Sequence, residues 1–302
     1  MRVPPGPSAG PEFGAYRDRA EVLLPMQISP RYDGPAVLRF DPSPRDPSVP
    51  MLRQRRRLAT LLATLDEGQW AAPSRCDGWT CSDVVRHLTT VNAFWATSIA
   101  AGRSGLPTRY LAEFDPVATP AQLVEAALAT TTAELLDTYT VTIASLAAAL
   151  DGLDPADRAL PAEAPPGHLS IDAVILHALW DSWIHERDIA LPLGLAPDEE
   201  PDEVAAGLRY AVGLGPALLA TTGSLRTGQF AVRAESPVVS LTVEIGPDVV
   251  VRDSAGATAL PTINGSAVEL LESFSLRSSP PALPGTDGWM VEGLSVLFDQ
   301  AG

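Results

Sequence analysis

The spacing of apolar residues changes once along this chain, near Thr222–Gly228, and that change constrains the fold more than any other feature. Before it, apolar residues recur at the three- or four-residue spacing of amphipathic helices, as in LRQRRRLATLLATL. After it, QFAVRAE, VVSLTVEIG and DVVVRDS alternate or are β-branched, which is typical of strands. The sequence therefore predicts an α+β fold, with a helical bundle over residues 51–222 and a small α+β domain over residues 225–302.

Residues 1–50 are rich in proline and glycine and include the run DPSPRDPSVP. Because proline lacks the amide hydrogen that a helix interior needs, we expect an extended arm laid over the body instead of a long helix. The first residues, MRVPPGPSAGPEFG, place proline and glycine where a signal peptide has its apolar core, so we expect a cytoplasmic protein.

Five helices are predicted in the bundle region. The clearest start is GWTCSDVVRHL, where Thr80 can cap the amide of Asp83 and the Asp83 carboxylate lies near the positive helix end. That helix should end near Gly102. One of the other four should begin at Leu52. The remaining three should cover about 121–150, 170–191 and 202–220. DGLDPADRALPAEAPPGH is interpreted as an irregular connection, and INGSAVELLESFSLRS as a helix of the C-terminal domain.

The chain is strongly acidic, with 21 Lys and Arg against 37 Asp and Glu and a net charge of −16. Such a charge repels nucleic acid and anionic lipid. No uninterrupted apolar run approaches the roughly 20 residues that a membrane span needs. We therefore expect a small-molecule partner, no nucleic acid and no membrane, and a monomer or homodimer.

Four arginines cluster at the start of the first predicted helix: Arg53, Arg55, Arg56 and Arg57. They could form an anion-binding patch or the solvated face of the helix, and we favour the solvated face. The two cysteines, Cys76 and Cys81, lack the spacing of a redox or zinc motif. They could be ligands or a disulfide, but we expect buried apolar residues.

The informative stretch is GHLSIDAVILHALWDSWIHERDIALPLG. Asp181 and His185 are four residues apart, so a helix places a carboxylate and an imidazole on one face. Such a pair suits Zn²⁺, Fe²⁺, Ni²⁺ or Mn²⁺, although many pairs with this spacing are surface helix contacts. The third ligand must come from another helix, and His87 is the best candidate. His177, one turn before Asp181, could replace it or lie behind the ligands.

Other polar residues could serve this site. His168, at the helix entrance, should lie near the mouth of a pocket, and His168 or His177 could move protons. Asp188 could orient the His185 imidazole or pair with Arg187. Trp180 and Trp183 could form the wall of a pocket for an organic substrate or cofactor, or could belong to the bundle core.

At these residues the chain resembles the mycothiol-dependent maleylpyruvate isomerase family, within the DinB-like superfamily of metal-binding four-helix bundles. LATLDEGQWAAPSRCDGWTCSDVVRHLTTVNAFW resembles its N-terminal signature, and WDSWIHERDIALPLG resembles its second signature. INGSAVELLESFSLR resembles the end of its sterol-carrier-like C-terminal domain. The resemblance covers about residues 52–280.

The resemblance implies metal ligands at His87, Asp181 and His185, with Asp at 181 where the family usually has Glu. It also implies that Arg277 helps to bind substrate or thiol, although SLR stands where the family usually has a glycine before the arginine. The implied cofactors are zinc and mycothiol. Three protein ligands leave a coordination position for the thiol sulfur.

We therefore expect an isomerase or S-transferase that activates mycothiol at the metal for attack on an electrophilic small molecule. One alternative is a thiol-independent enzyme that uses the metal as a Lewis acid in a biosynthetic pathway. Another is a non-catalytic carrier or sensor whose C-terminal domain binds an apolar ligand.

Overall fold

The computed structural model describes residues 28–43, 45–127, 130–254 and 259–300, with side chains up to residue 298. The helices are α1 (Ser48–Leu62), α2 (Glu67–Trp70), α3 (Cys81–Arg103), α4 (Ala118–Ala126), α5 (Thr132–Leu150), α6 (Pro155–Ala159), α7 (Ile171–Ala190), α8 (Pro201–Thr221), α9 (Ala267–Phe274) and α10 (Gly293–Gln300). The strands are β1 (Leu38–Asp41), β2 (Pro161–Ala164), β3 (Gly167–Ser170), β4 (Gly228–Glu235), β5 (Val239–Ile245), β6 (Val249–Asp253) and β7 (Thr262–Ser266).

Local sequence signals fix the two helices that later carry the site. At the start of α3, the Thr80 hydroxyl accepts from the Asp83 amide at 3.2 Å, and the Asp83 carboxylate accepts from the Thr80 amide at 2.9 Å. This is the predicted capping box. At the start of α7, the Ser170 hydroxyl accepts from the Ala173 amide at 3.2 Å. Both helices therefore begin where the sequence predicts.

Helix α7 is the central helix of the bundle, and it packs against α1, α3 and α8. Most of its side chains are buried all around its axis, as expected of a core helix. The α7 residues that keep partial access to solvent are Trp180, Asp181, His185 and Arg187.

A five-stranded sheet has the order β1-β6-β5-β4-β7. Strands β1 and β6 are parallel, as are β4 and β7, while the other neighbours are antiparallel. One face packs on α8. A Cβ atom at Gly213 of α8 would lie 2.7 Å from the Leu38 side chain, so glycine permits the helix to approach the sheet closely. The α+β fold class predicted from the sequence is confirmed.

Four predictions differ from the structure, and the first is the irregular connection DGLDPADRALPAEAPPGH, which contains α6, β2 and the start of β3. The Pro-rich arm supplies β1, whose residues Leu38–Asp41 pair with Val249–Arg252. The predicted helix over 121–150 is two helices, because Thr131 and Glu134 form a capping box that starts α5. The predicted helix INGSAVELLESFSLRS begins as β7 and becomes helical only at Ala267.

The prediction that the four arginines form a solvated face is wrong for Arg55, which is fully buried. Arg57 pairs with the buried carboxylates of Glu186 and Glu203 at 2.7 and 2.8 Å. Only Arg56 of this group is exposed. These arginines therefore join α1 to α7 and α8, an arrangement that the one-helix pattern cannot show.

Two described helices, α5 and α8, are long and apolar enough to cross a membrane by length and composition alone. In α8, 72% of the most apolar stretch is buried inside the fold, as in core helices generally. In α5 the corresponding share is 33%. The buried side chains of α5, among them Leu135, Tyr139 and Leu146, belong to the bundle.

Candidate metal centre

His87, Asp181 and His185 converge between α3 and α7. The Asp181 Oδ1 atom lies 3.4 Å from His87 Nε2 and 3.6 Å from His185 Nε2. One ligand atom from each residue lies within 4.8 Å of the others. The packing of α3 on α7 therefore brings the predicted third residue to the Asp181–His185 pair.

The Asp181 carboxylate is poorly satisfied by the protein. Its Oδ2 atom is buried and has no hydrogen-bond partner among the described residues. Burial by itself would raise the pKa of Asp181, but the neighbouring imidazoles of His87 and His185 outweigh it and hold the pKa well below its usual range. The site thus offers a buried, ionised oxygen with free acceptor capacity, beside two imidazole nitrogens.

These three residues fit a divalent cation such as zinc. Two imidazoles and one carboxylate are an ordinary donor set for a catalytic metal, and they leave a coordination position for another ligand. A buried carboxylate oxygen without a partner is rare in proteins unless it has a function or a bound ion. The side chains of Asp181 and His185 each keep 12% exposure, so the cluster is not sealed from solvent.

His185 is held from behind by Asp188. The Asp188 Oδ2 atom accepts from His185 Nδ1 at 3.0 Å, which leaves Nε2 directed at Asp181. Burial opposes protonation of His185, but Asp188 and Cys76 outweigh it and raise its pKa to about 10. Asp188 therefore fixes the ring and increases its basicity, as carboxylates behind metal-bound histidines commonly do.

Two arginines clamp Asp188. Arg277 Nε and Nη2 donate to its two oxygens, each at 2.8 Å, and Arg75 Nε donates to Oδ1 at 3.0 Å. Burial of Asp188 is outweighed by His185 and Arg277, which hold its pKa well below the usual range. Arg277 comes from the chain after α9, so the C-terminal region reaches the bundle's polar site. Asp188 orients His185, and Arg187 pairs with Glu272 and Glu199 instead.

Cys76 is a residue of this site that the sequence interpretation missed. Its thiol donates to Asp188 Oδ2 at 3.2 Å and lies 3.6 Å from His185 Nδ1 and 3.5 Å from Arg277 Nη2. Cys81 is fully buried, as predicted, and neither cysteine is in a disulfide. The position of Cys76, just before the Gly-Trp-Thr turn, was the available signal.

Cys76, His185 and Asp188 also lie within 4.8 Å of one another by their ligand atoms. Arg75 and Arg277 already give Asp188 two positive charges. A further cation there would be repelled, so this second group is a weaker metal site than the first.

His177 lies one turn from Asp181 but faces a different partner. Its Nδ1 is 2.6 Å from the Tyr210 hydroxyl, and its ring contacts those of Trp95 and Trp180 with centroids 4.8 and 5.5 Å away. Burial lowers its pKa to about 4, against the opposing charge of Asp181. His177 is therefore neutral near pH 7, in an aromatic cluster beside the candidate metal centre.

The two predicted tryptophans have different surroundings. Trp180 belongs to the aromatic cluster and donates its indole N–H to the Ser275 hydroxyl at 2.8 Å. Trp183 is 1% exposed and lies against Arg187, whose guanidinium is 4.9 Å from the ring centroid. A ligand-binding role for Trp183 gains no support from this placement, whereas Trp180 lies where a ligand of the centre could reach it.

His168 lies in β3, and both of its ring nitrogens face main-chain carbonyls. Nδ1 is 3.1 Å from the Tyr32 oxygen and Nε2 is 2.8 Å from the Thr108 oxygen. These contacts tie the arm and the loop before α4 to the β2–β3 hairpin. The predicted proton-transfer role of His168 gains no support, because neither nitrogen is directed at His87, Asp181 or His185.

The helical bundle is similar to a known family. Residues 51–190 match the family model described as Mycothiol maleylpyruvate isomerase N-terminal domain. The matched segment is just under half of the chain and includes His87, Asp181 and His185. The resemblance to the mycothiol-dependent maleylpyruvate isomerase family is therefore confirmed.

Two solved structures of the mycothiol-dependent maleylpyruvate isomerase, one of them a mutant, are similar to this chain. Each is 13% identical and covers 80% of this chain and 92% of its own, with TM-scores of 0.56 and, for the mutant, 0.55. At this identity the likeness shows the fold. No curated protein sequence matches the chain.

Proposed function

Because residues 51–190 are similar to the mycothiol maleylpyruvate isomerase N-terminal domain, we propose that this chain is a metal- and thiol-dependent enzyme. It activates mycothiol at His87, Asp181 and His185 for attack on an electrophilic small molecule, as an isomerase or S-transferase. The observation that carries the proposal is the convergence of these three residues, together with the buried Asp181 Oδ2, which has no hydrogen-bond partner among the described residues.

A bound divalent metal, zinc in this proposal, supplies a Lewis acid that stabilises a thiolate at neutral pH. The chain's own residues do the rest. His87, Asp181 and His185 hold the cation, and Asp188 keeps the His185 ring oriented through the 3.0 Å hydrogen bond. Arg277 and Cys76 lie behind His185 and hold Asp188 in place.

Trp180, the partly exposed member of the aromatic cluster that also contains Trp95, His177 and Tyr210, is the proposed contact for the organic part of the ligands. His177 is the proposed proton carrier, since its imidazole is neutral and hydrogen-bonded to Tyr210. The protein is proposed to act in the cytoplasm, on a small molecule, as a monomer or homodimer.

A thiol-independent Lewis-acid enzyme would use the same ligands and remains the alternative within enzymes. The carrier hypothesis has less support. An open cavity of about 520 Å³ on the outer sheet face is lined by charged residues, among them Arg39, Glu244, Asp248 and Arg252. Such a lining does not suit the apolar ligand that this hypothesis requires.

Elemental analysis and turnover assays test the proposal. The purified protein should contain about one equivalent of metal. It should convert an electrophilic substrate such as maleylpyruvate only with mycothiol present. His185→Ala should lose metal and activity together, while His168→Ala, a matched histidine outside the centre, should keep both. Full turnover without mycothiol would favour the Lewis-acid alternative, and metal-free wild-type protein would overturn the proposal.

A further inference from the structure

Arg55 is a buried cation without a counterion. Its side chain is fully buried, and no carboxylate of the described residues lies within 4 Å of its guanidinium. Two donors are used: Nε donates to Asn92 Oδ1 at 2.7 Å, and Nη2 donates to the Ala178 carbonyl at 2.8 Å. The Nη1 group is buried and has no hydrogen-bond partner among the described residues.

Burying a guanidinium without a counterion costs folding free energy. A buried charge is normally paired, because removal from water is expensive. The two partly buried arginines of α1, Arg53 and Arg57, do pair with carboxylates. Burial lowers the pKa of Arg55, but arginine keeps its charge in proteins. The positive charge therefore acts on whatever lies nearby.

Arg55 lies next to the candidate metal centre formed by His87, Asp181 and His185. Asn92 and His87 are on α3, and Ala178 and Asp181 are on α7, so Arg55 occupies the next layer of the same interhelical seam. From the helical rise of about 1.5 Å per residue, Ala178 is offset roughly 5 Å from Asp181 along α7, and Asn92 is offset roughly 8 Å from His87 along α3. Asp181, Tyr139 and His177 are titratable groups that interact electrostatically with Arg55. Burial keeps Tyr139 neutral by raising its pKa.

We propose that Arg55 is an uncompensated positive charge of the metal centre, which weakens binding of the divalent cation and strengthens binding of an anionic fourth ligand, a thiolate. This inference rests on the proposed function. With the cation bound, the charges of the metal, Asp181 and Arg55 sum to +2, whereas without Arg55 they would sum to +1. The positive charge of Arg55 repels the metal cation and attracts the thiolate. It should therefore lower the affinity for Zn²⁺ and raise the affinity for the thiol.

Arg55→Met tests the inference, since methionine retains apolar length and removes the charge. Zn²⁺ affinity is measured by competition with a chromophoric chelator on the apo-protein. Thiol affinity is measured by titrating the Co²⁺-loaded protein with 2-mercaptoethanol and following the sulfur-to-cobalt absorption band. We expect Zn²⁺ to bind at least tenfold more tightly and the thiol at least tenfold more weakly than in the wild type.

Controls separate charge from structure. Arg55→Lys keeps the charge and should keep both constants near the wild-type values, and Arg55→Gln is a second neutral variant should the methionine not fold. Arg56→Met removes the adjacent exposed charge and should change neither constant. If Arg55 had only a structural role, its loss would weaken the binding of Zn²⁺ and of the thiol together. That result, or unchanged affinities for both, would overturn the inference. Wild-type protein that binds no Zn²⁺ would overturn the proposed function as well.

Discussion

Asp188 Oδ2 lies 3.0 Å from His185 Nδ1, on the side of the ring opposite Asp181. One imidazole is thus held between two carboxylates, and only its Nε2 faces the proposed metal. The carboxylate behind the ring is itself held by Arg75 and Arg277. The orientation of one ligand therefore depends on the loop before α3, on α7 and on the segment after α9.

Asp188→Asn should weaken metal binding without removing any ligand. The amide cannot carry the negative charge that increases the basicity of His185, and loss of such a partner typically costs 10- to 100-fold in metal affinity. Zn²⁺ competition titration measures the effect. Asp248→Asn, at a carboxylate that pairs with Arg39 on the sheet, is the matched control and should bind Zn²⁺ as the wild type does. Equal affinities for the two variants would contradict the role given to Asp188.

The two cysteines should differ sharply toward a small alkylating reagent. Cys76 is partly accessible, whereas Cys81 is 0% exposed. Iodoacetamide should therefore add one group to the folded protein, at Cys76, before any reaction at Cys81. Intact-mass measurement over time counts the adducts, and Cys76→Ser should remove the fast one. An adduct that persists in Cys76→Ser but not in Cys81→Ala would contradict the structure.

His177 should make stability depend on pH in a defined window. Its pKa in the folded protein, about 4, is below the value of 6.5 for an exposed imidazole, so the unfolded chain binds the proton more readily. Stability should rise as pH increases from about 4 to about 6.5 and should gain nothing further from this group above that. A shift of this size corresponds to roughly 3 kcal/mol.

Urea unfolding of the metal-free protein at several pH values measures this dependence. His177→Gln, which cannot titrate, should lack this part of the slope, while His168→Gln should retain it. If the slope between pH 4 and 6.5 were the same with and without His177, the neutral state assigned to this imidazole would be wrong.

Much of the helical framework was predictable because its signals are local. The Thr80–Asp83 box and the serine before α7 act within one helical turn, and Asp181 and His185 share a face by spacing alone. His87 was placed by the family resemblance, because its proximity to Asp181 depends on how α3 packs on α7.

Other features depend on contacts between distant segments. Cys76 meets His185 and Arg277 across separations of 109 and 201 residues, and no spacing pattern reports such contacts. Strand β1 joins the sheet by parallel pairing with β6, which needs a long crossover and leaves no turn signature. The burial of Arg55 was missed for the same reason, since its acceptors belong to α3 and α7.

His168→Ala should destabilise the protein while leaving the metal centre intact. The substitution leaves the carbonyls of Tyr32 and Thr108 without their imidazole partner. Because these contacts are only partly buried, the loss should be smaller than the cost of a fully buried unsatisfied group, which is about 1–3 kcal/mol. We expect a lower urea midpoint with unchanged Zn²⁺ affinity. His185→Ala should give the converse, a loss of Zn²⁺ binding that far exceeds its effect on folding of the apo-protein. Loss of turnover in His168→Ala, with metal content and stability unchanged, would instead support the proton-transfer role predicted from the sequence. It would contradict a structural role for the contacts of His168 with the Tyr32 and Thr108 carbonyls.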